Sequence, residues 1–220
     1  MSNYHQNIKD ALPDPKRVKK IKKDLESKGV KYIYSNWIDF LGSPKTKPMP
    51  ISDFEDLCAG KGPQFAVHSV SFVPELTPAD NDQIPVPDLD SLVICPWDKT
   101  CAWVFADLYW NDKPYDVCPR MTLKRQIKKC EKSDLKFFVG IEPEFFLMKW
   151  DGDKPVKAID RDPIPLRRQA FGYDAEYSID GMNFLKEIID ILNNDLKWDL
   201  HDVVAEGAYG QYELDFGYTD

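Results

Sequence analysis

The chain has 220 residues, of which 43% are hydrophobic and 30% charged, and its formal net charge is −8. This composition is typical of a globular protein with a sizeable core, and the negative charge argues against a nucleic-acid or anionic-membrane surface. No apolar run approaches the roughly 20 residues that cross a bilayer, and the polar segment 1–14 is no signal peptide. The five cysteines form neither a C-x-x-C motif nor a zinc spacing, so we expect reduced thiols in a cytoplasmic protein.

Beyond a leader that we expect to be flexible, residues 1–14, apolar residues at helical spacing predict a helix that ends at Gly29. Pro119 is placed to start a second helix, and a third carries its apolar stripe from Ile179 to Leu192. The stretch 60–96 is rich in proline, glycine and aspartate, which predicts loops and short strands. Apolar runs predict strands over 30–38, 45–49, 91–95, 101–109 and 136–150, and a hairpin over 206–216.

Four glutamates in the second half of the chain stand in two motifs that suit a hard metal ion. Glu142 and Glu144 lie in Gly140-Ile-Glu-Pro-Glu-Phe-Phe-Leu147, and Glu206 and Glu213 lie in Glu206-Gly-Ala-Tyr-Gly-Gln-Tyr-Glu213. An ionised carboxylate among apolar residues is costly unless a positive charge accompanies it, and two close carboxylates repel each other. Oxygen ligands in motifs without Cys or His favour Mg²⁺ or Mn²⁺ over zinc.

The spacing within each motif decides whether its carboxylates can meet. Residues i and i+2 of a strand share a face, so Glu142 and Glu144 should point the same way. Glu206 and Glu213 would face opposite sides of one regular strand, but the two glycines between them permit a turn that brings both to one side of a hairpin. The alternative for each pair is an edge strand with water-facing carboxylates. The presence of both pairs in one chain favours the metal site.

A series of short motifs runs through nearly the whole chain: Asp39-Phe-Leu-Gly42, Pro78-Ala-Asp80, Pro87-Asp88, Pro96-Trp97, Ala106-Asp107, Pro119-Arg120, the Glu142 motif, Tyr173-Asp174 and Gly210-Gln-Tyr-Glu213. Their order resembles the N-terminal half of the glutamine synthetase family, above all its type III group, which includes γ-glutamylmethylamide synthetase. The resemblance implies an α+β fold. A β-grasp N-terminal domain would cover 15–112, and 113–220 would be the incomplete N-terminal part of an α/β catalytic domain with a curved antiparallel sheet.

The resemblance implies ATP-dependent amide formation, in which the γ-carboxylate of glutamate is phosphorylated and ammonia or a small amine displaces the phosphate. Phosphoryl transfer relies on metal ions and cations that neutralise developing charge, so the acidic motifs fit this chemistry. By motif position, Glu144, Glu206 and Glu213 are expected to bind one Mg²⁺ or Mn²⁺ ion. Glu142 is expected to bind a second one, nearer the ATP phosphates.

Three further residues receive roles only through the resemblance. Asp39 matches an acidic residue that reaches into a neighbouring subunit to bind and deprotonate ammonium; the alternative is a turn aspartate that caps its own backbone. Tyr173 matches a tyrosine facing the glutamate or nucleotide region, and Tyr218 is a candidate contact of adenine; a loop aromatic and core packing are the respective alternatives. Arg120 and the Arg167–Arg168 pair are expected to be structural or solvated.

Several family features fall outside these residues: a histidine and a glutamate that complete the second metal site, and the arginines that clamp phosphate and glutamate. The strand-like run Tyr212-Glu-Leu-Asp-Phe216 near the end also indicates that more chain, or another polypeptide, completes the fold. We therefore expect no synthetase activity from the chain alone, and a homo-oligomeric ring for a full-length protein. The acceptor amine stays open, and a non-catalytic structural or regulatory relative with the same fold is the alternative.

Overall fold

The computed structural model describes residues 4–71, 75–158 and 172–218. The chain divides into two compact units, Met1–Lys136 and Phe137–Asp220. The first unit extends past residue 112, where the sequence analysis places the domain boundary, because the helix that starts at Pro119 packs on the sheet of that unit. Arg167 and Arg168 lie outside the described residues. None of the helices within these ranges has the length and hydropathy needed to span a membrane.

The first unit is built on a mixed sheet with helices packed against it. Its helices are α1 (Ile8–Ala11), α2 (Pro15–Ser27), α3 (Phe54–Cys58), α4 (Val67–Ser71) and α5 (Pro119–Lys132), and its strands are β1 (Tyr32–Ile38), β2 (Pro44–Pro50), β3 (Ile84–Pro87), β4 (Val93–Ile94), β5 (Cys101–Trp110) and β6 (Lys113–Pro114). The described strands follow the order β2-β1-β5-β3, and β4 and β6 pair with β5. At the centre β1 runs parallel to β5, while β1 and β2 are antiparallel.

Alternation of burial along β1 fixes the core of the first unit. Ile33, Ser35 and Trp37 are buried, whereas the residues between them are partly exposed, as expected where successive side chains point to opposite faces. Ile33 packs with Leu25 of α2 and Phe54 of α3. The apolar stripe that predicts the first helix therefore faces the sheet, and the predicted strand and helix are both confirmed.

Residues 4–14 are packed, which corrects the expectation of a flexible leader. Tyr4 and Ile8 are buried in a cluster with Tyr109, and the Ile8 amide donates to the Asp112 carbonyl oxygen at 3.0 Å. Asn7 caps α1 by accepting a hydrogen bond from a backbone amide of its first turn. Most residues of this segment are polar, which led to the expectation of flexibility. Burial of the Tyr4 and Ile8 side chains nevertheless offsets the conformational entropy that is lost when the segment becomes ordered.

Four charged side chains attach α5 to the sheet. The Arg120 Nε donates to an Asp107 oxygen at 2.9 Å, and the same guanidinium pairs with Asp88. Lys124 lies 2.6 Å from Asp107 and 3.4 Å from Asp88, so two cations balance two carboxylates. Asp88, Asp107 and Arg120 come from three separate sequence motifs, and these motifs meet in one network. The contacts of Arg120 agree with a structural role.

Replacing Arg120 with methionine should lower the free energy of unfolding by about 2 kcal/mol, because Lys124 alone would then face two largely shielded carboxylates. The Arg120 and Asp107 side chains are 28% and 10% exposed, which limits rescue by water. Arg125→Met is the matched control: it removes a pair with Asp116, whose side chain is 84% exposed, and should cost under about 1 kcal/mol. Urea unfolding measures both variants, and equal losses would contradict the structural role of the network.

The second unit contains two antiparallel sheets and one long helix. Its elements are β7 (Glu144–Phe146), β8 (Met148–Asp151), β9 (Lys154–Lys157), α6 (Ala175–Asp190), a π-helical turn (Ile191–Asp195), β10 (Leu200–Ala205) and β11 (Gln211–Phe216). One sheet has the order β10-β11-β7, and β8 pairs with β9. The single strand predicted over 136–150 is wrong: before β7 the segment has only a bridge at Val139, and Pro143 has no amide hydrogen with which to extend a ladder.

Helix α6 covers one face of the β10-β11-β7 sheet. Tyr212 is 1% exposed, and its hydroxyl donates to the Tyr177 carbonyl oxygen of α6 at 2.9 Å. A Cβ atom at Gly181 would lie 2.5 Å from the Tyr212 ring, so the helix and the strand approach closely at this glycine. Phe145 packs in the same cluster. Since Phe145 and Tyr212 point towards the helix, their strand neighbours point to the opposite, open face.

Candidate metal site on the open face

The strand register brings carboxylates from two motifs together on the open face. Glu144 of β7 lies directly opposite Glu213 of β11, next to the pair formed by Phe145 and Tyr212. On the other side of β11, Glu213 faces Val204 of β10. Directly opposite residues in a sheet have side chains close enough to interact. The two glutamates therefore share one surface.

The turn between β10 and β11 adds Glu206 to this surface. The Glu206 amide donates to the Gln211 carbonyl oxygen at 3.0 Å, and the Gln211 amide donates back to Ala208 at 2.9 Å. Gly210 has a φ of +84°, a conformation that favours glycine. A hairpin forms here, but its first strand is β10, which precedes the predicted range 206–216, and its turn brings the carboxyl of Glu206 close to that of Glu213.

The contact between Glu206 and Glu213 has an electrostatic consequence. The hydrogen bond with Glu206, then partial burial, then the charges of Asp215 and Glu144 raise the pKa of Glu213 to about 7. Two carboxyl groups share a hydrogen bond only if one of them carries a proton. Between pH 4.5 and about 7 the folded chain holds a proton that the unfolded chain has lost, so the fold loses stability as the pH rises through this window.

The sequence analysis missed three polar residues of the open face. Asp202 of β10 and Asp215 of β11 lie directly opposite each other, and burial, then the hydrogen bond and charge of Asp202, raise the pKa of Asp215. The Gln211 amide nitrogen donates to a Glu144 carboxylate oxygen at 2.5 Å. Period-two spacing from Glu213 gives both Gln211 and Asp215, so the strand pattern contained a usable signal for them.

Glu142 stands apart from the strand that was expected to hold it. It precedes β7 and is exposed, so no regular ladder aligns it with Glu144. Its charge contributes to the raised pKa of Asp215. The regular i, i+2 strand geometry that the sequence analysis predicts for Glu142 and Glu144 is therefore not formed.

Asp39 belongs to the first unit and caps the turn between β1 and β2. Its Oδ1 accepts hydrogen bonds from the amides of Leu41 at 3.0 Å and Ser43 at 2.8 Å. The Lys45 ammonium lies 3.3 Å from its Oδ2. Burial would raise the pKa of Asp39, but the Ser43, Lys45 and Leu41 contacts outweigh it and lower the pKa. The backbone-capping role is thus present in the structure.

The two candidate tyrosines are largely exposed. Tyr173 is 83% exposed, has a φ of +63°, and donates its amide to the carbonyl oxygen of Ala205, next to Glu206. Positive φ is uncommon for a tyrosine, and such residues cluster at functional sites. Tyr218 is 75% exposed, and its ring meets the Phe138 ring edge to face at 5.8 Å. Neither side chain is buried in the core.

The carboxylates of the open face fit a hard divalent cation by their chemistry. They supply oxygen donors, and a cation between them would relieve the repulsion that raises the pKa of Glu213. Within the described ranges, no lysine or arginine forms an ion pair with Glu144, Glu206 or Glu213. In the same ranges, no group of three or more His, Cys, Asp or Glu side chains is arranged closely enough to hold a metal ion. Side-chain rotation would have to bring the carboxylate oxygens together around an ion.

Comparison with known proteins shows which enzymes the chain resembles in sequence. Residues 116–220 match the family model described as glutamine synthetase, catalytic domain. A glutamine synthetase of Rhizobium meliloti is 33% identical over 193 residues, which are 88% of this chain and 42% of that protein. Over most of its length the chain is similar to glutamine synthetases. A glutamate–methylamine ligase of Methyloversatilis universalis is 28% identical over 201 residues, 89% of this chain and 43% of the relative.

Solved structures agree with the glutamine synthetase relationship. A structure titled apo GmaS without ligand superposes with a TM-score of 0.79 at 27% identity and covers 91% of this chain. A GmaS/ADP complex gives a TM-score of 0.78 and covers 90% of this chain. The chain thus has a mixed α/β fold like theirs, and it spans less than half the length of the proteins it matches. This share is consistent with the N-terminal half that the motifs indicate.

Proposed function

We propose that the chain is the acidic metal-binding part of an ATP-dependent glutamate–amine ligase, which forms a γ-glutamyl amide through a γ-glutamyl phosphate. The observation that carries the proposal is the strand register that places Glu213 opposite Glu144, with Glu206 in the adjoining turn. A proton between two carboxylates is a weak substitute for a divalent cation, and phosphoryl transfer needs such cations. The relationship to glutamine synthetases and a glutamate–methylamine ligase supplies the reaction class.

In this proposal Glu144, Glu206 and Glu213 bind one Mg²⁺ or Mn²⁺ ion, and Glu142 contributes to the second. Bound cations would neutralise the charge that develops on the transferred phosphoryl group. The Gln211 amide, which donates to Glu144, would hold that carboxylate in place, as groups around metal ligands commonly do. Asp202 and Asp215 extend the negative potential of the face and would attract cations to it.

Asp39 is proposed to act in a second protomer's site of a homo-oligomeric ring, where an anionic side chain would bind ammonium and accept its proton. Its lowered pKa keeps the carboxylate charged at neutral pH, which such a role requires. We propose that Tyr173 and Tyr218 contact glutamate or nucleotide, since exposed rings are free for stacking. The strand order β2-β1-β5-β3 with its central parallel pair supports a β-grasp assignment for the first unit.

The acceptor is ammonia or a small amine such as methylamine, since relatives with both names match the chain. We expect the chain by itself to form no γ-glutamyl hydroxamate from glutamate, ATP and hydroxylamine with Mn²⁺. Fusion to the C-terminal portion of the Methyloversatilis universalis relative should give product formation, because it would add the ligands and phosphate-binding groups that the resemblance places outside these 220 residues.

The matched control for this assay is the same fusion carrying Glu213→Gln, which should fold but form little hydroxamate. A folded fusion that binds Mn²⁺ yet forms no product would contradict the ligase proposal and favour a non-catalytic relative. Product formation by the unfused chain would contradict the expectation that it is inactive alone.

A further inference from the structure

Two cysteines that are separate in sequence meet across one hairpin of the first unit. Strand β4 pairs with β5 through Val93 opposite Trp103 and Ile94 opposite Ala102. The next pair in this antiparallel register is Cys95 opposite Cys101, and the Cys95 amide donates to the Cys101 carbonyl oxygen at 2.9 Å. Both side chains therefore point to the same face, at positions where Cβ atoms lie roughly 5 Å apart.

Burial and local chemistry separate the roles of the two thiols. Cys95 is 1% exposed, and burial, together with the proximity of Cys101, raises the pKa of Cys95. Cys101 is 5% exposed and has polar neighbours: its Sγ donates to an Asp98 carboxylate oxygen at 3.3 Å and lies 3.8 Å from the Tyr34 hydroxyl. Of the two thiols, Cys101 therefore has the more polar surroundings.

The segment between the two cysteines is a short exposed loop. Its five residues include Trp97, which is 66% exposed, while Asp98 closes the loop by accepting hydrogen bonds from the amide and hydroxyl of Thr100. Strand β4 has only two residues, so few ladder bonds hold this end of the hairpin. A covalent bond at this place would fasten β4 to β5 with little change in the backbone.

We propose that Cys95 and Cys101 form an oxidant-sensitive dithiol site, which hydrogen peroxide converts to a cross-strand disulfide. This inference goes beyond the ligase proposal and does not depend on it. The Cys101 thiol loses its proton to solvent, and its sulfur attacks one peroxide oxygen, giving a sulfenic acid and hydroxide, which the proton converts to water. The Cys95 sulfur then attacks the sulfenic sulfur of Cys101, which forms the disulfide bond and releases hydroxide. The proton of the Cys95 thiol converts that hydroxide to water. Two thiols and one peroxide thus give one disulfide and two waters.

Opposite residues of an antiparallel pair fit the geometry of a disulfide. Such pairs have Cα atoms about 4.5 to 5.5 Å apart, within the range that disulfides span. For the two sulfurs to bond, the Cβ atoms must move about 1 Å closer together, and the short strand β4 allows this shift. The structure contains the reduced form, in which both cysteines are free. A thiol reductant should therefore return the oxidised chain to the described state.

The test is a non-reducing tryptic map of the whole chain after a limited peroxide treatment. Trypsin cleaves after Lys99, between the two cysteines, so the disulfide should join two peptides that a reductant separates. Cys118 shares a tryptic peptide with Cys101, because the Lys113–Pro114 bond resists trypsin, and fragmentation of the linked peptides must therefore assign the bond. Cys118→Ser, a change at another buried cysteine, is the matched control and should keep the link.

The single variants test the order of the steps. In Cys95→Ser, dimedone should trap a sulfenic acid at Cys101, whereas in Cys101→Ser, position 95 should stay unmodified; Cys→Ala versions serve if a serine variant misfolds. Oxidation should also raise the Tm of the unmodified chain by roughly 5 °C. The proposal is overturned if both thiols stay reduced while half-buried Cys130 oxidises, or if Cys101 pairs with another cysteine. It is equally overturned if residues 95 and 101 oxidise separately to sulfinic acids in the unmodified chain.

Discussion

Replacing Glu213 with glutamine is expected to remove the thermal stabilisation that Mn²⁺ gives to the chain. An ion that binds only the folded state raises the melting temperature, and the stabilisation grows with the logarithm of the ratio of free ion concentration to Kd. Glu213 faces Glu144 across the strand pair and contacts Glu206, so it lies at the centre of the proposed site. An amide supplies one neutral oxygen in place of a charged carboxylate. We expect the affinity to fall roughly 100-fold or more, beyond the 10- to 100-fold typical of groups outside the ligand set.

Glu187→Gln is the matched control for this measurement, because it makes the same change on the exposed side of α6. This variant should keep the full response to Mn²⁺. Glu206→Gln and Glu144→Gln should resemble Glu213→Gln if the three carboxylates share one ion. An unchanged response in Glu213→Gln, measured by thermal unfolding across a Mn²⁺ titration, would exclude a metal site at this residue.

Replacing Gly181 with alanine should destabilise the second unit by about 2 kcal/mol, the range typical of overpacked cores. The added Cβ would lie 2.5 Å from the Tyr212 ring. The hydrogen bond from the Tyr212 hydroxyl to the Tyr177 carbonyl oxygen holds that ring in place, so the ring cannot move aside without breaking the bond. Alanine favours helices over glycine by up to about 1 kcal/mol, so a net loss means that the steric clash outweighs helix propensity. Helix α6 would have to move away from β11.

Gly207→Ala is the control for this steric effect, since a Cβ atom added there would have no atom within 4 Å and the φ of Gly207 is not positive. Its free energy of unfolding should change by less than about 0.5 kcal/mol. Urea unfolding followed by circular dichroism measures both variants. Equal stability of the Gly181 and Gly207 variants would contradict the close packing of α6 on the sheet.

The elements that the sequence predicted well are those with strong local signals. The helix from Pro119 begins at that residue, since proline fits the first turn, and the glycine-marked turn at Gly210 forms, although the first strand of its hairpin lies before the predicted range. The strand over 136–150 failed because its apolar residues gave no sign of where pairing would begin. The sequence also did not predict the burial of Tyr4 and Ile8, because this burial depends on tertiary contacts that local composition does not encode.

The candidate site was predictable in its residue types but only partly in its geometry. Glu206 and Glu213 meet because of a turn that glycine marks in the sequence. The partnership of Glu144 with Gln211 depends on the register between β7 and β11, two strands far apart in the chain. Asp202 joins the face through the register of the hairpin, which contains an irregularity that alternation alone does not predict. Long-range register is therefore the missing information.

The pH dependence of Mn²⁺ affinity tests the shared cation most directly. Because the pKa of Glu213 is raised to about 7 in the metal-free fold, binding below that pH must release its proton, whereas above it the carboxylate is already ionised. Calorimetric titration should show an affinity that falls about tenfold per pH unit below pH 7 and levels off above it. Glu213→Gln should remove this slope. An affinity that does not change with pH, or the same slope in Glu213→Gln, would contradict the convergence of these carboxylates on one ion.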